Sequence, residues 1–178
     1  MAGRRENMLT QTSCEAFFSS LKGRRVAVCG LGRTHVPVVR QFLEHGAEVL
    51  ACDKRERASL GETADELEQA GATLRLGEGY LDDLQVDLIL RSPGMNPTLP
   101  PLEEARARGV RVTTEMELVL ELSPAPVYGV TGSDGKTTTT SIVAGLLQAA
   151  GERPILCFLH YPPLYQGYQC PEILTVLE

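Results

Sequence analysis

The tract YGVTGSDGKTTTTSIVAGLL, residues 128–147, sets Gly132, Gly135, an aspartate, a lysine and four successive threonines between two apolar stretches. Threonine is stiff about its first side-chain torsion and a mediocre helix former. A lysine in the first turn of a helix also opposes the positive end of the dipole, at about 0.3–1 kcal/mol when nothing offsets it. A bound phosphate removes that conflict. Gly132 and Gly135 let the backbone turn its N–H groups inward to cradle phosphate oxygens. Lys136 then reaches the outer phosphates, and the Thr137 hydroxyl takes Mg2+. The loop departs from the strict G-x-x-x-x-G-K-[ST] spacing, because Val130 stands where the first glycine would fall. A glycine turn carrying a solvated lysine is the alternative.

Two further turns have residues suited to a nucleotide. CGLGRTH, residues 29–35, matches half of a dinucleotide-binding fingerprint, with His35 in the place of the third glycine. Asp53 ends the next apolar run, where an acidic group holds a ribose hydroxyl in such folds. RSPGMNP, residues 91–97, ends another apolar run, and ligands of open α/β sheets bind outside the carboxyl ends of strands. Each turn also reads as a plain connection between elements.

The elements that must position these turns alternate. RRVAVCGLG reads as a buried strand entering a glycine turn, and VPVVRQFLEHG as a helix closed by Gly46. AEVLACDKR is a second strand, SLGETADELEQAG a helix, ATLRLGEG a short third strand and VDLILRSPG a fourth. TLPPLEEARARGV is a helix that starts at prolines and ends at Gly109. VRVTTEMELVLEL gives a strand and a helix, with parallel strands expected to begin near Arg25, Glu48, Val86 and Val110. This alternation predicts an α/β fold with a mostly parallel sheet and helices on its faces. SPAPV, residues 123–127, reads as a hinge. Beyond it, VYGV is expected as a strand and TTTTSIVAGLLQAAG as a helix ended by Gly151.

Composition narrows the classes. A chain of 178 residues, 43% of them hydrophobic, suits one domain, or one small domain and part of another. A net charge of −6 lacks the electrostatic footprint of nucleic-acid binding. The five cysteines form no C-x-x-C pair, and Cys29 and Cys52 read as small buried hydrophobes in apolar runs. The three histidines have no zinc-site spacing. No run approaches the roughly 20 apolar residues of a membrane span. The N-terminal MAGRRENMLTQTSCEAFFSS is a poor signal peptide. A reducing cytoplasm is the expected compartment.

Taken together, CGLGRTH, the SPG turn and TGSDGKTT resemble the N-terminal part of the Mur ligases, over about residues 24–151, and most closely their D-glutamate-adding members. The phosphate loop alone fits the whole superfamily, folylpolyglutamate synthetases included; the SPG turn and the Rossmann-like start narrow the resemblance. The resemblance implies an ATP- and Mg2+-dependent ligase of peptidoglycan synthesis. In that family ATP phosphorylates the carboxylate of UDP-N-acetylmuramoyl-L-alanine, and the amine of D-glutamate attacks the acyl phosphate. It implies a Rossmann-like domain for the UDP substrate over residues 1–122 and the beginning of a P-loop ATP-binding central domain over residues 123–178, cut short past about Ile155.

Carried over by position, the resemblance gives diphosphate contacts to Arg33 and Thr34, and a uracil-side edge to Asp53, Lys54 and Arg55. Ser92, Pro93 and Gly94 close that edge. ATP falls to Gly132, Ser133, Asp134, Gly135, Lys136, Thr137 and Thr138, with Lys136 in a catalytic role and Thr137 on the metal. The family's later metal ligands and amino-acid-binding domain have no counterpart here, so this chain is expected to be inactive alone, residues 155–178 to be poorly ordered and ATP to bind weakly if at all. A binding module for a nucleotide or UDP-sugar, without catalysis, is the second reading. An NAD-binding oxidoreductase domain is a third, disfavoured by His35 and by the phosphate loop. The oligomeric state stays open.

Overall fold

The computed structural model describes residues 8–32, 34–123, 125–156 and 176–177. Five strands form one sheet: β1 (Arg25–Cys29), β2 (Glu48–Asp53), β3 (Thr73–Leu76), β4 (Leu88–Arg91) and β5 (Arg111–Thr113). Their order is β3-β2-β1-β4-β5, and every pairing is parallel. The helices are α1 (Met8–Ser20), α2 (His35–Glu44), α3 (Arg57–Leu60), α4 (Glu62–Gln69), α5 (Pro100–Ala107), α6 (Glu115–Leu122) and α7 (Lys136–Ala149). The alternating α/β fold read from the apolar runs is therefore present, with strands close to the expected starts.

β1 is the centre of the sheet, and its composition explains why. Val26, Ala27, Val28 and Cys29 are each 0% exposed, so both faces of the strand are covered. A parallel strand in that position needs an unbroken apolar run rather than an alternating one. Ala27, Cys29, Cys52 and Ile89 pack on one face with Leu102 and Ala105 of α5 and with Leu81 and Leu84. Val39 and Phe42 of α2 are buried as well. Each large aliphatic or aromatic side chain removed from water in this way contributes about 1.5–3 kcal/mol.

Three local readings change. The N-terminal segment, read only as a poor signal peptide, contains α1, whose Phe17 and Phe18 rings lie 6.5 and 6.4 Å from Phe42. The single helix expected over SLGETADELEQAG is broken into α3 and α4 at Gly61, where φ is +54°. The VYGV strand is absent: Val127–Val130 pairs with nothing among the described residues. A strand exists only through a hydrogen-bonded neighbour, and apolar composition cannot supply one.

The chain divides into two compact units. One is Glu15–Leu118 and carries the five-stranded sheet. The other takes in the chain from Val119, with the first residues up to Cys14. It contains α7 and a two-stranded antiparallel pair, β6 (Ile155–Leu156) with β7 (Val176–Leu177). The expectation of disorder over 155–178 falls on residues that, apart from these four, lie outside the described residues.

Candidate functional site

The turn after β1 is made by Gly30. Its φ is +94°, and a Cβ there would stand 2.9 Å from Ser92 Cβ. Left-handed backbone with no room for a methyl admits only glycine. Gly30 N–H donates to the Cys52 carbonyl at 2.7 Å, and Ser92 N–H donates to the Cys29 carbonyl at 2.8 Å. The glycine turn and the SPG turn, far apart in sequence, are thus bound side by side. They meet between β1 and β4, where the strand order changes direction, which is the ligand crevice of open parallel sheets. The N–H groups of Gly32 and Thr34 make no backbone hydrogen bond among the described residues. They precede α2, whose own first N–H groups, those of His35 and Val36, are taken by the Gly32 carbonyl at 3.1 and 3.3 Å, so these two amides are the donors left at its positive end, where an anion is favoured.

Asp53, at the end of β2, is 4% exposed. Its Oδ2 accepts from Leu31 N–H at 2.7 Å and from Arg55 Nη2 at 2.9 Å, while Oδ1 accepts from Arg55 N–H at 2.8 Å and Nε at 3.0 Å. Burial pushes the Asp53 carboxyl up, but the Arg55 hydrogen bonds, the Leu31 amide and the Arg55 charge outweigh it and hold the group below its ordinary value. Arg55 Nη2 also donates to the Leu31 carbonyl at 2.9 Å. Both oxygens of Asp53 are engaged by protein donors, so in this arrangement the carboxylate fixes the glycine turn. Lys54 and Arg55 are exposed beside it, Ser92 and Pro93 are half-buried, and Gly94 and Thr34 are exposed. Arg33 lies outside the described residues.

His35 and Glu115 were not assigned a role by sequence reasoning. His35 is 1% exposed; its Nδ1 lies 2.6 Å from the Gly30 carbonyl and its Nε2 3.1 Å from Glu115 Oε1. Glu115 opens α6, whose start is a capping box. Glu117 N–H donates to Thr114 Oγ1 at 3.2 Å, and Glu117 Oε2 accepts from Thr114 N–H at 3.0 Å and from the Thr113 hydroxyl at 2.7 Å. The Thr-x-x-Glu spacing in VTTEME is the signal that locates this helix start.

The second loop is built differently. Gly135 has φ +77° and caps α7 from the left-handed region, which favours glycine. Lys136 Nζ donates to the carbonyls of Gly132 at 2.6 Å and Ser133 at 3.2 Å. Thr140, 1% exposed, donates its hydroxyl to the Lys136 carbonyl at 2.8 Å, which accommodates one of the four threonines inside the helix. Gly132, Ser133, Asp134, Thr137 and Thr138 are exposed. Among the described residues no group of three or more His, Cys, Asp or Glu side chains gathers to hold a metal, and no helix is long and apolar enough to cross a membrane.

A family model described as the N-terminal domain of MurD-like Mur ligases matches residues 24–114. The UDP-N-acetylmuramoylalanine–D-glutamate ligase of Symbiobacterium thermophilum is 48% identical over 157 residues, covering 86% of this chain and 34% of that protein. The enzyme of the same name from Acetivibrio thermocellus is 39% identical over 141 residues, covering 79% of this chain and 30% of that protein. The chain spans about a third of the length of these curated relatives. A crystal structure of the UDP-N-acetylmuramate–alanine ligase of Thermotoga maritima aligns with a TM-score of 0.44 at 20% identity, over 84% of this chain and 34% of that one.

Proposed function

We propose, because the chain belongs to the MurD-like N-terminal domain family of Mur ligases, that it is the N-terminal part of an ATP-dependent ligase that adds D-glutamate to UDP-N-acetylmuramoyl-L-alanine in the cytoplasm. Residues 1–122 bind the UDP substrate, and residues 123–178 begin the ATP-binding central domain. The observation that supports this reading is the meeting of Gly30 and Ser92 between β1 and β4, in the turn whose Gly32 and Thr34 N–H groups make no backbone hydrogen bond among the described residues. An anion the size of a diphosphate suits that turn.

Arg33 and Thr34 contact the diphosphate from the glycine turn. Asp53 acts by holding Leu31 and Arg55, while Lys54 and Arg55 form the uracil-side edge, with Ser92, Pro93 and Gly94 closing it. His35, buried in the place of the fingerprint's third glycine, argues for a UDP ligand over a dinucleotide.

At the second loop, the chemistry of the donors fits a nucleotide phosphate. Lys136 already bonds to two carbonyl oxygens of its own loop, as it would to phosphoryl oxygens, and the Thr137 hydroxyl is exposed in the first turn of α7. One protein oxygen is adequate for Mg2+, which keeps several waters and takes phosphate oxygens. Gly132 to Thr138 hold ATP, which with Mg2+ supplies the phosphoryl group that activates the substrate carboxylate. Lys136 stabilises the charge that develops on that group during transfer.

Calorimetric titration of the 178-residue chain with UDP, UDP-N-acetylmuramoyl-L-alanine and NAD tests the first assignment. The UDP ligands are expected to bind and NAD to bind far more weakly; tight NAD binding without UDP binding overturns it. A parallel ATP titration of the unaltered chain and of Lys136→Ala tests the second, with weak binding by the former and none by the latter expected.

A further inference from the structure

Resting on the reading of the glycine turn as a diphosphate site, we propose that His35 is a positioning residue: its Nε2 carries a hydrogen and donates it to Glu115 Oε1, which lets the start of α6 fix the conformation of that turn. Donor and acceptor chemistry carries the case. His35 Nδ1 is 2.6 Å from the Gly30 carbonyl, which can only accept, so Nδ1 bears a hydrogen. On the other side of the ring, Nε2 is 3.1 Å from Glu115 Oε1, and neither of these buried atoms has another hydrogen-bond partner among the described residues. Without a further hydrogen, the ring would aim a lone pair at a carboxylate oxygen in a place water does not reach, where unpaired polar atoms are costly. With hydrogens on both nitrogens, the ring is fastened at both ends.

What the ring fastens is the turn. Gly30 is already confined by its left-handed backbone and by Ser92, and Leu31, Gly32 and Thr34 follow it directly. Glu115 in its turn is placed by the Thr114–Glu117 capping box, with the Thr113 hydroxyl bonded to the same Glu117 oxygen. A rigid path therefore runs from the junction of β5 and α6, through Glu115 and the imidazole, to the Gly30 carbonyl. The neighbouring carboxylate, Glu117, is engaged by Thr113 and Thr114. A glycine at position 35 would leave both the carbonyl and the Glu115 carboxylate without this donor.

Two substitutions in the full chain separate positioning from packing. In Glu115→Gln the amide N–H donates to a neutral Nε2, so the ring stays held; in Glu115→Leu nothing replaces the hydrogen bond. The expected pattern has three parts. Nitrogen NMR finds hydrogens on both His35 ring nitrogens in the unaltered chain and a bare Nε2 in the glutamine variant. The Leu31 amide, bonded to Asp53, exchanges faster in the leucine variant alone. UDP affinity stays within about threefold for glutamine and falls by about tenfold or more for leucine, the effect of leaving buried polar groups unpaired. A bare Nε2 in the unaltered chain overturns the proposal, as do glutamine and leucine variants that bind UDP alike with unchanged Leu31 exchange. Should Glu115→Leu fail to fold, Glu115→Asp, too short to span the 3.1 Å contact, gives the leucine pattern if the proposal holds. An unaltered chain that binds no UDP, while Leu31 exchange still responds to Glu115→Leu, overturns the diphosphate reading and upholds the hold on the turn.

Discussion

The two glycine loops of this chain are stabilised in opposite ways. The loop at Gly30 is held by residues remote in sequence: Asp53 and Arg55 from the end of β2, Ser92 from the end of β4, Glu115 through His35. Among the described contacts, the loop at Gly135 is tied to its own neighbours, with Lys136 bonded to Gly132 and Ser133 and Thr140 bonded to Lys136. Their surroundings match. β1 leads into the first loop with four residues wholly buried, whereas Tyr128, Ile142 and Leu146 around the second are 59%, 58% and 67% exposed. A loop fixed by long-range contacts keeps its shape as long as its sheet does. A loop fixed by local contacts opens with the loss of a few hydrogen bonds.

The widest gap between the two regions should appear on truncating apolar side chains. Ile89→Ala removes a wholly buried side chain beside β1 and should cost about 2–5 kcal/mol in urea denaturation. Leu146→Ala on α7 should change stability by less than about 0.5 kcal/mol, since that side chain is mostly in solvent. Equal losses from both would erase the contrast.

The glycines themselves sharpen it. Gly30→Ala combines a disallowed φ with a contact to Ser92 that is too short, and should cost about 1–3 kcal/mol in the same assay. Gly135→Ala also meets positive φ, but a Cβ there has open space around it, so only the backbone penalty of about 1–2 kcal/mol remains, confined to the start of α7. Comparing the two urea denaturation curves, together with amide exchange at each loop, checks the ordering.

The smallest effect is one of pH. A carboxylate held below its ordinary value of 3.8 adds stability that is complete above that value and is lost as the pH falls through the depressed one. Acid denaturation of the sheet unit should therefore steepen below about pH 4. Asp53→Asn should flatten that limb while lowering stability at neutral pH, and an unchanged acid limb would mean that Asp53 does not tie the turn to β2.

The legible parts of the fold are those governed by local rules. Continuous apolar runs bounded by Gly30, Asp53 and Pro93 marked strands of a parallel sheet, and Gly46 and Gly109 marked helix ends. The misread parts depend on partners that composition does not name. VYGV has strand composition and no strand beside it among the described residues. Gly61 sits within an amphipathic stretch, and the break there follows from its backbone conformation rather than from the hydrophobic pattern. At the candidate site, the sequence located the turns but not what holds them. Asp53 looked like a ligand residue because an acid ends that strand in dinucleotide folds, yet its donors are Leu31 and Arg55. Glu115 is distant in sequence from His35, so their contact emerges only once β5 and α6 are in place.

The strand order also sets a timetable. β1 is made first among the strands, and its pairing with β2 needs only the short α2 segment between them, but Val26 must wait for Leu88, and Arg25 for Asp87, before its other edge is closed. A ribosome delivers those residues late, and until then the central strand of the sheet presents an open row of backbone donors and acceptors. Synthesis paused between β3 and β4 thus exposes the nascent chain to pairing with another copy, and the arrival of β4 ends that exposure.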